Sequence, residues 1–265
     1  MQSQTQSSAP TPQSPKQSEK PKSLDGQESP FVYGVMRIVA AILLPLFARL
    51  HTVDVENVPK EGPVILAINH IHWLDIPLAS FRIPRVTHYM AKIELFSIPI
   101  IGWLIRRLGA FPVRRGESDR ESLRTSERML ADGNLLMIFP EGHRSGNGKL
   151  LKGHPGASYL ALRTGVPVVA VGISGTENVF KRFNYGPWAP KVTIRFSKPF
   201  TLGTGGKRSR EGMAEATDTL MRQIAAMLPP EYRGAYADTT PDVPTSSDTT
   251  PASVATDATA VSGNG

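Results

Sequence analysis

The segment NHIHWLD, residues 69–75, combines two histidines and an aspartate directly after an apolar run that predicts a β-strand. In α/β folds, ligand sites commonly lie where a strand ends, so these side chains are candidates for chemistry. A carboxylate that accepts a hydrogen bond from one imidazole nitrogen leaves the other nitrogen oriented and basic. The segment therefore contains the parts of a general base.

Three interpretations of this segment compete. The His-x-His spacing suits a metal site, but the other histidines are scattered through the chain and no cysteine can complete a ligand set. Alternatively, His70 is a core or capping histidine, and Asp75 is the N-cap of a helix that Pro77 favours. In the third interpretation the pair is catalytic. Residues five apart diverge by about 140° on a helix, so His70 must then precede the helix and Asp75 must lie in its first turn.

Composition narrows the classes of function. The chain contains no cysteine, which removes disulfides, thiolate metal ligands and a cysteine nucleophile, and which fits a reducing compartment. Residues 31–235 carry 27 basic and 16 acidic side chains, a net charge of +11. Such an excess suits phosphorylated ligands, anionic lipid or nucleic acid. A nucleic-acid binder is disfavoured because the chain has no recognisable binding motif of that kind.

Both ends of the chain are predicted to be disordered tails. Residues 1–30 are mostly Gln, Ser, Pro and Lys, and residues 236–265 are mostly Thr, Ser, Ala, Pro, Gly and Asp. Such segments bury too little apolar surface to offset the entropy of ordering. No secretory signal is predicted, since no basic segment leads directly into an apolar core. We expect a membrane-associated helix over 31–50 and one folded domain over 51–235.

Two apolar stretches predict contact with a membrane. In residues 31–50, Arg37 and Arg49 bracket eleven uncharged residues that include Pro45. A spanning helix needs about twenty apolar residues, so we expect this helix to lie in the interface or to enter one leaflet. A buried core helix is the alternative. The second stretch, residues 95–109, ends with Trp103 and two arginines, a pattern found both at membrane boundaries and at the ends of core helices.

Elsewhere the pattern alternates between strands and helices. Strands are predicted at 63–68, 134–139, 166–172 and 191–196, and helices at 118–133, 154–165 and about 209–228. Ser118 and Glu121 have the spacing of a capping box. This alternation predicts an α/β domain with a central, mostly parallel or mixed sheet flanked by helices.

Four blocks in fixed order resemble the glycerolipid acyltransferases, and most closely the bacterial 1-acylglycerol-3-phosphate acyltransferases. They are NHIHWLD, then GAFPVRR (109–115), FPEGHRS (139–145) and GVPVVAVG (165–172). The resemblance covers roughly residues 50–200. It implies that His70 is the general base and Asp75 its partner. It also implies that the free hydroxyl of a lysophospholipid attacks an acyl thioester directly, without a cofactor. The lack of a G-x-S-x-G elbow agrees with direct attack.

The resemblance also implies which residues bind the acceptor. Arg115 falls on the family's arginine, and Lys92 in MAKIELF matches a lysine of the closer relatives; both suit a phosphate. In the third block, Glu141 is expected to accept a hydrogen bond from a hydroxyl or to hold the base. Gly142 is expected to admit the ligand to the backbone, and Arg144 to bind phosphate. A structural Glu–Arg pair is the alternative.

The sequence departs from the family pattern at several positions. His72 stands where relatives often have a small hydroxyl residue, Arg114 where many have an acid, His143 where threonine is usual, and Ala170 where proline is common. The fourth block is expected to wall the acyl or acceptor pocket. These departures bear on substrate choice and leave the fold prediction unchanged.

The resemblance predicts transfer of an acyl chain from acyl-coenzyme A or acyl carrier protein to lysophosphatidate, at the cytoplasmic face of an anionic membrane. Other lysolipids, glycerol-3-phosphate or an aminolipid are alternative acceptors. A non-catalytic lipid-binding module is the alternative of another class. It would bind membranes without the His70–Asp75 pair, whereas an acyltransferase requires that pair.

Overall fold

The structure is a computed structural model that describes residues 28–113, 120–181, 186–203 and 210–239. Most of both predicted tails lies outside these ranges, as do Arg114, Arg115 and Ser118 of the predicted capping box. The described chain continues to residue 239, four residues past the domain boundary predicted at 235, and Tyr236 is buried.

A seven-stranded sheet forms the centre of the molecule. Its strand order is β1-β7-β6-β2-β5-β3-β4, and every neighbouring pair is parallel except β6 with β7. The predicted mostly parallel or mixed sheet is thus confirmed. The strands are β1 (Arg49–Val53), β2 (Val64–Ile68), β3 (Thr87–Lys92), β4 (Ala110–Val113), β5 (Leu135–Ile138), β6 (Val168–Ser174) and β7 (Lys191–Phe196).

Helices cover the sheet, and an apolar cluster lies on each face of it. The predicted helices at 118–133, 154–165 and 209–228 are present as α4, α5 and α6. Gly165 ends α5 with a φ of 68°, the left-handed conformation that glycine adopts readily. The helices are α1 (Pro30–Phe47), α2 (Asp75–Ser80), α3 (Pro99–Arg107), α4 (Arg120–Ala131), α5 (Gly156–Thr164) and α6 (Arg210–Ala226).

Helix α1 packs against the domain along one narrow side. The side chain of Ser29 caps its first turn by accepting from the N–H of Val32. The Tyr33 hydroxyl donates a 3.0 Å hydrogen bond to the carbonyl oxygen of Ser80, the last residue of α2. The Tyr33 ring also packs edge-on against Phe81. These contacts fix the beginning of α1 to the end of α2.

The rest of α1 presents apolar side chains to the outside. By length and composition α1 could cross a membrane, although core helices and signal sequences can have the same properties. Only 11 % of its residues are buried, so the alternative of a buried core helix does not hold. An exposed apolar face of this size fits association with a membrane. Its exposed large apolar residues are Phe31, Val35, Ile38, Val39, Ile42, Leu43 and Leu46.

Close packing of α6 on the sheet gives a prediction for Gly172. A Cβ at Gly172 in β6 would lie 2.6 Å from the carbonyl oxygen of Met227. We expect Gly172→Ala to lower the free energy of unfolding by about 1–3 kcal/mol, because backbone must move to admit the methyl group.

Gly156→Ala is the matched control, since Gly156 begins α5 and a Cβ there would meet nothing within 4 Å. That variant should be neutral or slightly more stable, because alanine favours helix. Urea unfolding measures both variants. Equal changes in unfolding free energy for the two variants would show that Met227 does not restrict the size of the side chain at position 172.

Candidate active site

The predicted site residues converge at one edge of the sheet. Strands β2, β5, β3 and β4 are mutually parallel neighbours, so their carboxyl ends lie at the same edge. The chain leaves β2 into Asn69 and His70, and it leaves β5 into Phe139 and Glu141. Adjacent strands thus bring the first and third sequence blocks together, although they are about seventy residues apart in the chain.

His70 and Asp75 form the pair that the third interpretation requires. His70 lies in the turn before α2, Asp75 is the first residue of α2, and His70 Nδ1 is 2.9 Å from Asp75 Oδ2. The same oxygen accepts from the backbone N–H groups of Ile71 and His72, each at 2.7 Å. Asp75 is fully buried. The hydrogen bond at Nδ1 leaves Nε2 as the basic nitrogen of His70.

Neighbouring groups hold His70 on its other sides. The Phe139 ring stacks on its imidazole with the ring centroids 4.1 Å apart, and the His70 side chain is only 9 % exposed. The backbone N–H of His70 donates to Glu141 Oε1 at 2.6 Å, and its carbonyl oxygen accepts from the N–H of Ser145 at 2.8 Å. The imidazole is therefore fixed through contacts of its ring and through hydrogen bonds at the backbone N–H and carbonyl groups of His70.

Asn69 connects the turn that carries His70 to a third strand. Its side chain donates to the carbonyl oxygen of Ile173 at 2.9 Å and accepts from the N–H of Ile173 at 2.7 Å. Asn69 is buried, and Ile173 belongs to β6. Sequence reasoning assigned no role to Asn69, Phe139 or Ser145. An amide directly before a candidate base, at the end of a buried strand, was the one available signal.

Glu141 holds the backbone of His70 rather than facing an open site. Its Oε1 accepts from His70 and its Oε2 from the N–H of Leu151 at 2.8 Å, and the residue is 1 % exposed. Burial raises the pKa of Glu141 to about 7, although the two N–H donors act against that rise. Among the described residues, no ion pair joins Glu141 to Arg144, so the alternative of a structural Glu–Arg pair is not seen.

A cleft of about 760 Å³ opens beside the pair. Its cationic groups include Arg144, which is exposed, and Lys181. His72 lines the same cleft, and burial lowers the pKa of its imidazole. Within the described ranges, no group of three His, Asp or Glu side chains could hold a metal ion. Glu177, Val179 and Phe180 also line this cleft.

The remaining predicted residues differ in how they are placed. Gly142 has a φ of 69°, and a Cβ there would lie 3.1 Å from the His154 ring. Lys92 ends β3 at the same edge of the sheet, but two strands away from β2, with its Nζ 3.2 Å from Glu94 Oε1. Arg115 lies outside the described residues, so its role stays a prediction.

The fourth block was expected to wall a pocket, and its strand residues lie buried inside the sheet. All seven residues of β6 are buried, and the apolar side chains of residues 168–171 and 173 alternate between the two apolar clusters on either face of the sheet. A central strand with neighbours on both sides and layers on both faces has no surface left to offer a ligand. Only beyond its end do Glu177 and Val179 reach the cleft.

An acyltransferase family model matches residues 49–174, from the first residue of β1 to the last of β6. Residues 49–174, just under half of the chain, thus match the acyltransferase family, in agreement with the resemblance of the four sequence blocks. The matched part contains the His70–Asp75 pair, Glu141 and Arg144.

Curated relatives carry names of lipid acyltransferases. The chain is 29 % identical over 185 residues to a 1-acyl-sn-glycerol-3-phosphate acyltransferase of Bacillus subtilis, which covers 69 % of this chain and 90 % of the relative. It is 35 % identical over 124 residues to a lyso-ornithine lipid O-acyltransferase of Pseudomonas aeruginosa, covering 46 % of this chain and 47 % of the relative. For two further relatives, the chain spans only 58 % and 42 % of their length.

A solved structure has the same fold. The 1-acyl-sn-glycerophosphate acyltransferase PlsC of Thermotoga maritima superposes with a TM-score of 0.58 at 29 % identity. The match covers 72 % of this chain and 76 % of that one. The likeness extends to the α/β architecture that carries the pair.

The raised pKa of Glu141 predicts a pH-dependent stability. Between its ordinary value of 4.5 and about 7, the native carboxyl holds a proton that the unfolded chain releases, so the unfolding free energy falls as pH rises through this window. Glutamine does not titrate. Between pH 4.5 and 8, we expect the unfolding free energy of Glu141→Gln to rise relative to that of the unmodified protein by up to about 3 kcal/mol.

Denaturant titrations of both proteins at three pH values test this expectation. Other titrating groups cancel in the comparison because both proteins contain them. Parallel pH profiles would show that the two N–H donors keep the carboxyl of Glu141 ionised throughout.

Proposed function

We propose that this protein transfers an acyl chain from a thioester to the sn-2 hydroxyl of lysophosphatidate, giving phosphatidate. The observation that carries the proposal is a rigid His70–Asp75 pair at a strand exit, beside an open cleft that contains Arg144. The names of the relatives support the same reaction. A non-catalytic lipid binder would have no need of a buried carboxylate that orients a single imidazole.

In the proposed mechanism, His70 Nε2 removes the proton of the acceptor hydroxyl as its oxygen attacks the thioester carbonyl. The new C–O bond forms, the C–S bond breaks, and the imidazolium returns the proton to the departing thiolate. Asp75 stabilises the imidazolium and keeps its ring oriented. A thioester is already activated, so an oriented base and ordered substrates suffice without a cofactor.

Acceptor binding is assigned to the cleft. Arg144 lies close enough to His72 to affect its titration, so a phosphate bound there lies beside the catalytic turn. Gly142 keeps the turn compact where the chain enters the cleft. Lys92 and Arg115 remain predicted phosphate contacts. The donor is acyl-coenzyme A or acyl carrier protein, and we place the protein at the cytoplasmic face of an anionic membrane.

His70→Ala tests the proposed base. Transfer of a labelled acyl chain from acyl-coenzyme A to lysophosphatidate in detergent micelles should fall by at least about a hundredfold, since removing a general base costs about this much. The rate of phosphatidate formation is the measurement.

His51→Ala is the matched control, because His51 is an exposed histidine on the edge strand β1. It should retain its rate. Persistent transfer by His70→Ala would reject the assigned base and move attention to His72. If neither the unmodified protein nor His70→Ala transfers the chain but both bind lysophosphatidate, a lipid-binding module is the better interpretation. Repeating the assay with acyl carrier protein thioesters distinguishes this outcome from a wrong choice of donor.

Arg144→Ala tests the phosphate contact. We expect the KM for lysophosphatidate to rise about tenfold or more, because a charge-assisted hydrogen bond to phosphate contributes roughly 1.5–3 kcal/mol. Lys149→Ala removes an exposed cation from the same loop region, outside the cleft, and should leave KM within about twofold. Steady-state kinetics at varied lysophosphatidate distinguish the two. Equal rises of KM in Arg144→Ala and Lys149→Ala would indicate that the overall positive charge of the protein attracts the anionic micelle, without a specific contact at Arg144.

A lyso-ornithine lipid is the second candidate acceptor, favoured by the 35 % identical relative of that name. It has no phosphate, so we expect its use to depend less on Arg144 than the use of lysophosphatidate does. Assaying both acceptors with the unmodified protein and with Arg144→Ala distinguishes the two candidates. If both proteins prefer the lyso-ornithine lipid, that lipid and not lysophosphatidate is the acceptor.

A further inference from the structure

Three aromatic rings form a continuous row at the mouth of the cleft. Phe47 and Phe180 have ring centroids 5.4 Å apart, and Phe180 stacks on Trp73 at 6.1 Å with an interplanar angle of 13°. Trp73 in turn lies 5.4 Å from the His72 ring. We refer to Phe47, Phe180 and Trp73 as the aromatic row. It leads from α1 to the turn that carries His70.

The aromatic row is largely open to the outside. Phe180 is 51 % exposed and Trp73 is 54 % exposed, whereas large apolar side chains are usually covered in a soluble domain. Phe180 also lines the cleft, together with His72 and Arg144. One side of the row therefore faces the proposed headgroup site and the other faces outward.

The row is continuous with the apolar face of α1. Phe47 is the last residue of α1, and the exposed side chains of Leu43 and Leu46 lie in the turn before it. An apolar path thus runs from the membrane-facing helix, across Phe47 and Phe180, to Trp73. It ends beside the proposed base.

The backbone at Phe180 is strained. Its φ is 67°, a left-handed conformation that bulky residues rarely adopt. Such conformations cost energy and persist when the surrounding structure enforces them, often at ligand sites. The exposed phenyl ring is held across the mouth of the cleft despite this unfavourable backbone conformation, which indicates a contact with a ligand.

We infer that the aromatic row binds the acyl chain of the acceptor lysophospholipid as that lipid enters the cleft from the membrane. This inference rests on the proposed function. The headgroup lies at Arg144, the chain runs outward over Trp73 and Phe180 to Phe47, and the far end of the chain stays among the bilayer lipids along α1. The row makes the site selective for acceptors that carry a long chain.

Tryptophan fluorescence tests the inference without turnover. A protein with Trp103→Phe and Trp188→Phe retains only Trp73, and one with Trp73→Phe and Trp188→Phe retains only Trp103. Trp103 on α3 is also 54 % exposed, which makes it the matched control. The probe is lysophosphatidate with a mid-chain brominated acyl group, used below its micelle concentration. We expect saturable quenching of Trp73 and no saturable quenching of Trp103.

Phe180→Gly then removes a ring of the row without strain, because glycine favours a positive φ. Its stability should not fall, and the Kd of the probe measured at Trp73 should rise about tenfold. Equal quenching of both tryptophans, or an unchanged Kd in Phe180→Gly, would overturn the inference.

Kinetics give a second readout. The ratio of kcat/KM for a long-chain lysophosphatidate to that for a butyryl analogue should fall about tenfold in Phe180→Gly and in Trp73→Ala. Trp103→Ala should not change it. His70-dependent transfer without quenching of Trp73 would reject the aromatic row and keep the proposed function. Saturable quenching of Trp73 without any transfer would reject the proposed function and keep the lipid site.

Discussion

One carboxylate oxygen, Oδ2 of Asp75, accepts hydrogen bonds from the imidazole of His70 and from the next two backbone N–H groups. A buried carboxylate is costly unless its hydrogen bonds are made, and these three donors to Oδ2 offset part of that cost, while Oδ1 has no hydrogen-bond partner among the described residues. They also force the chain to turn tightly between His70 and α2. The turn that orients the base and the beginning of α2 therefore form around the same atom, which fixes the five-residue spacing of the pair.

The sheet then fixes where this turn lies. His70 follows β2, its N–H is held by Glu141 after β5, and its neighbour Asn69 is bonded to Ile173 in β6. Three adjacent strands thus share the positioning of one imidazole through hydrogen bonds between buried side chains and backbone groups. Asn69 and Glu141 are both buried, so the proposed base needs little further ordering when substrates bind.

Apolar runs made β2, β5, β6 and β7 predictable from the sequence, and the spacing of His70 and Asp75 correctly required a turn before a helix. Strand β3, with the sequence THYMAK, was missed because its residues lack the Val and Ile enrichment that marks a strand. The role of Glu141 as a holder of the base was one of two options. Only tertiary structure shows that its oxygens face the N–H groups of His70 and Leu151. The burial of β6 on both faces likewise depends on strand order, which local sequence does not encode.

Helix α2 links the proposed base to the beginning of α1. Its first residue holds His70, and its last residue, Ser80, accepts from Tyr33 near the beginning of α1. The end of α1 returns to the same region, where Phe47 contacts Phe180. A helix of only six residues has little independent stability, so these terminal contacts hold it. If α1 lies on a membrane, these short contacts set the distance between His70 and the membrane surface. A lipid that stays in the bilayer can reach the base only if that distance is constant, and this arrangement makes it so.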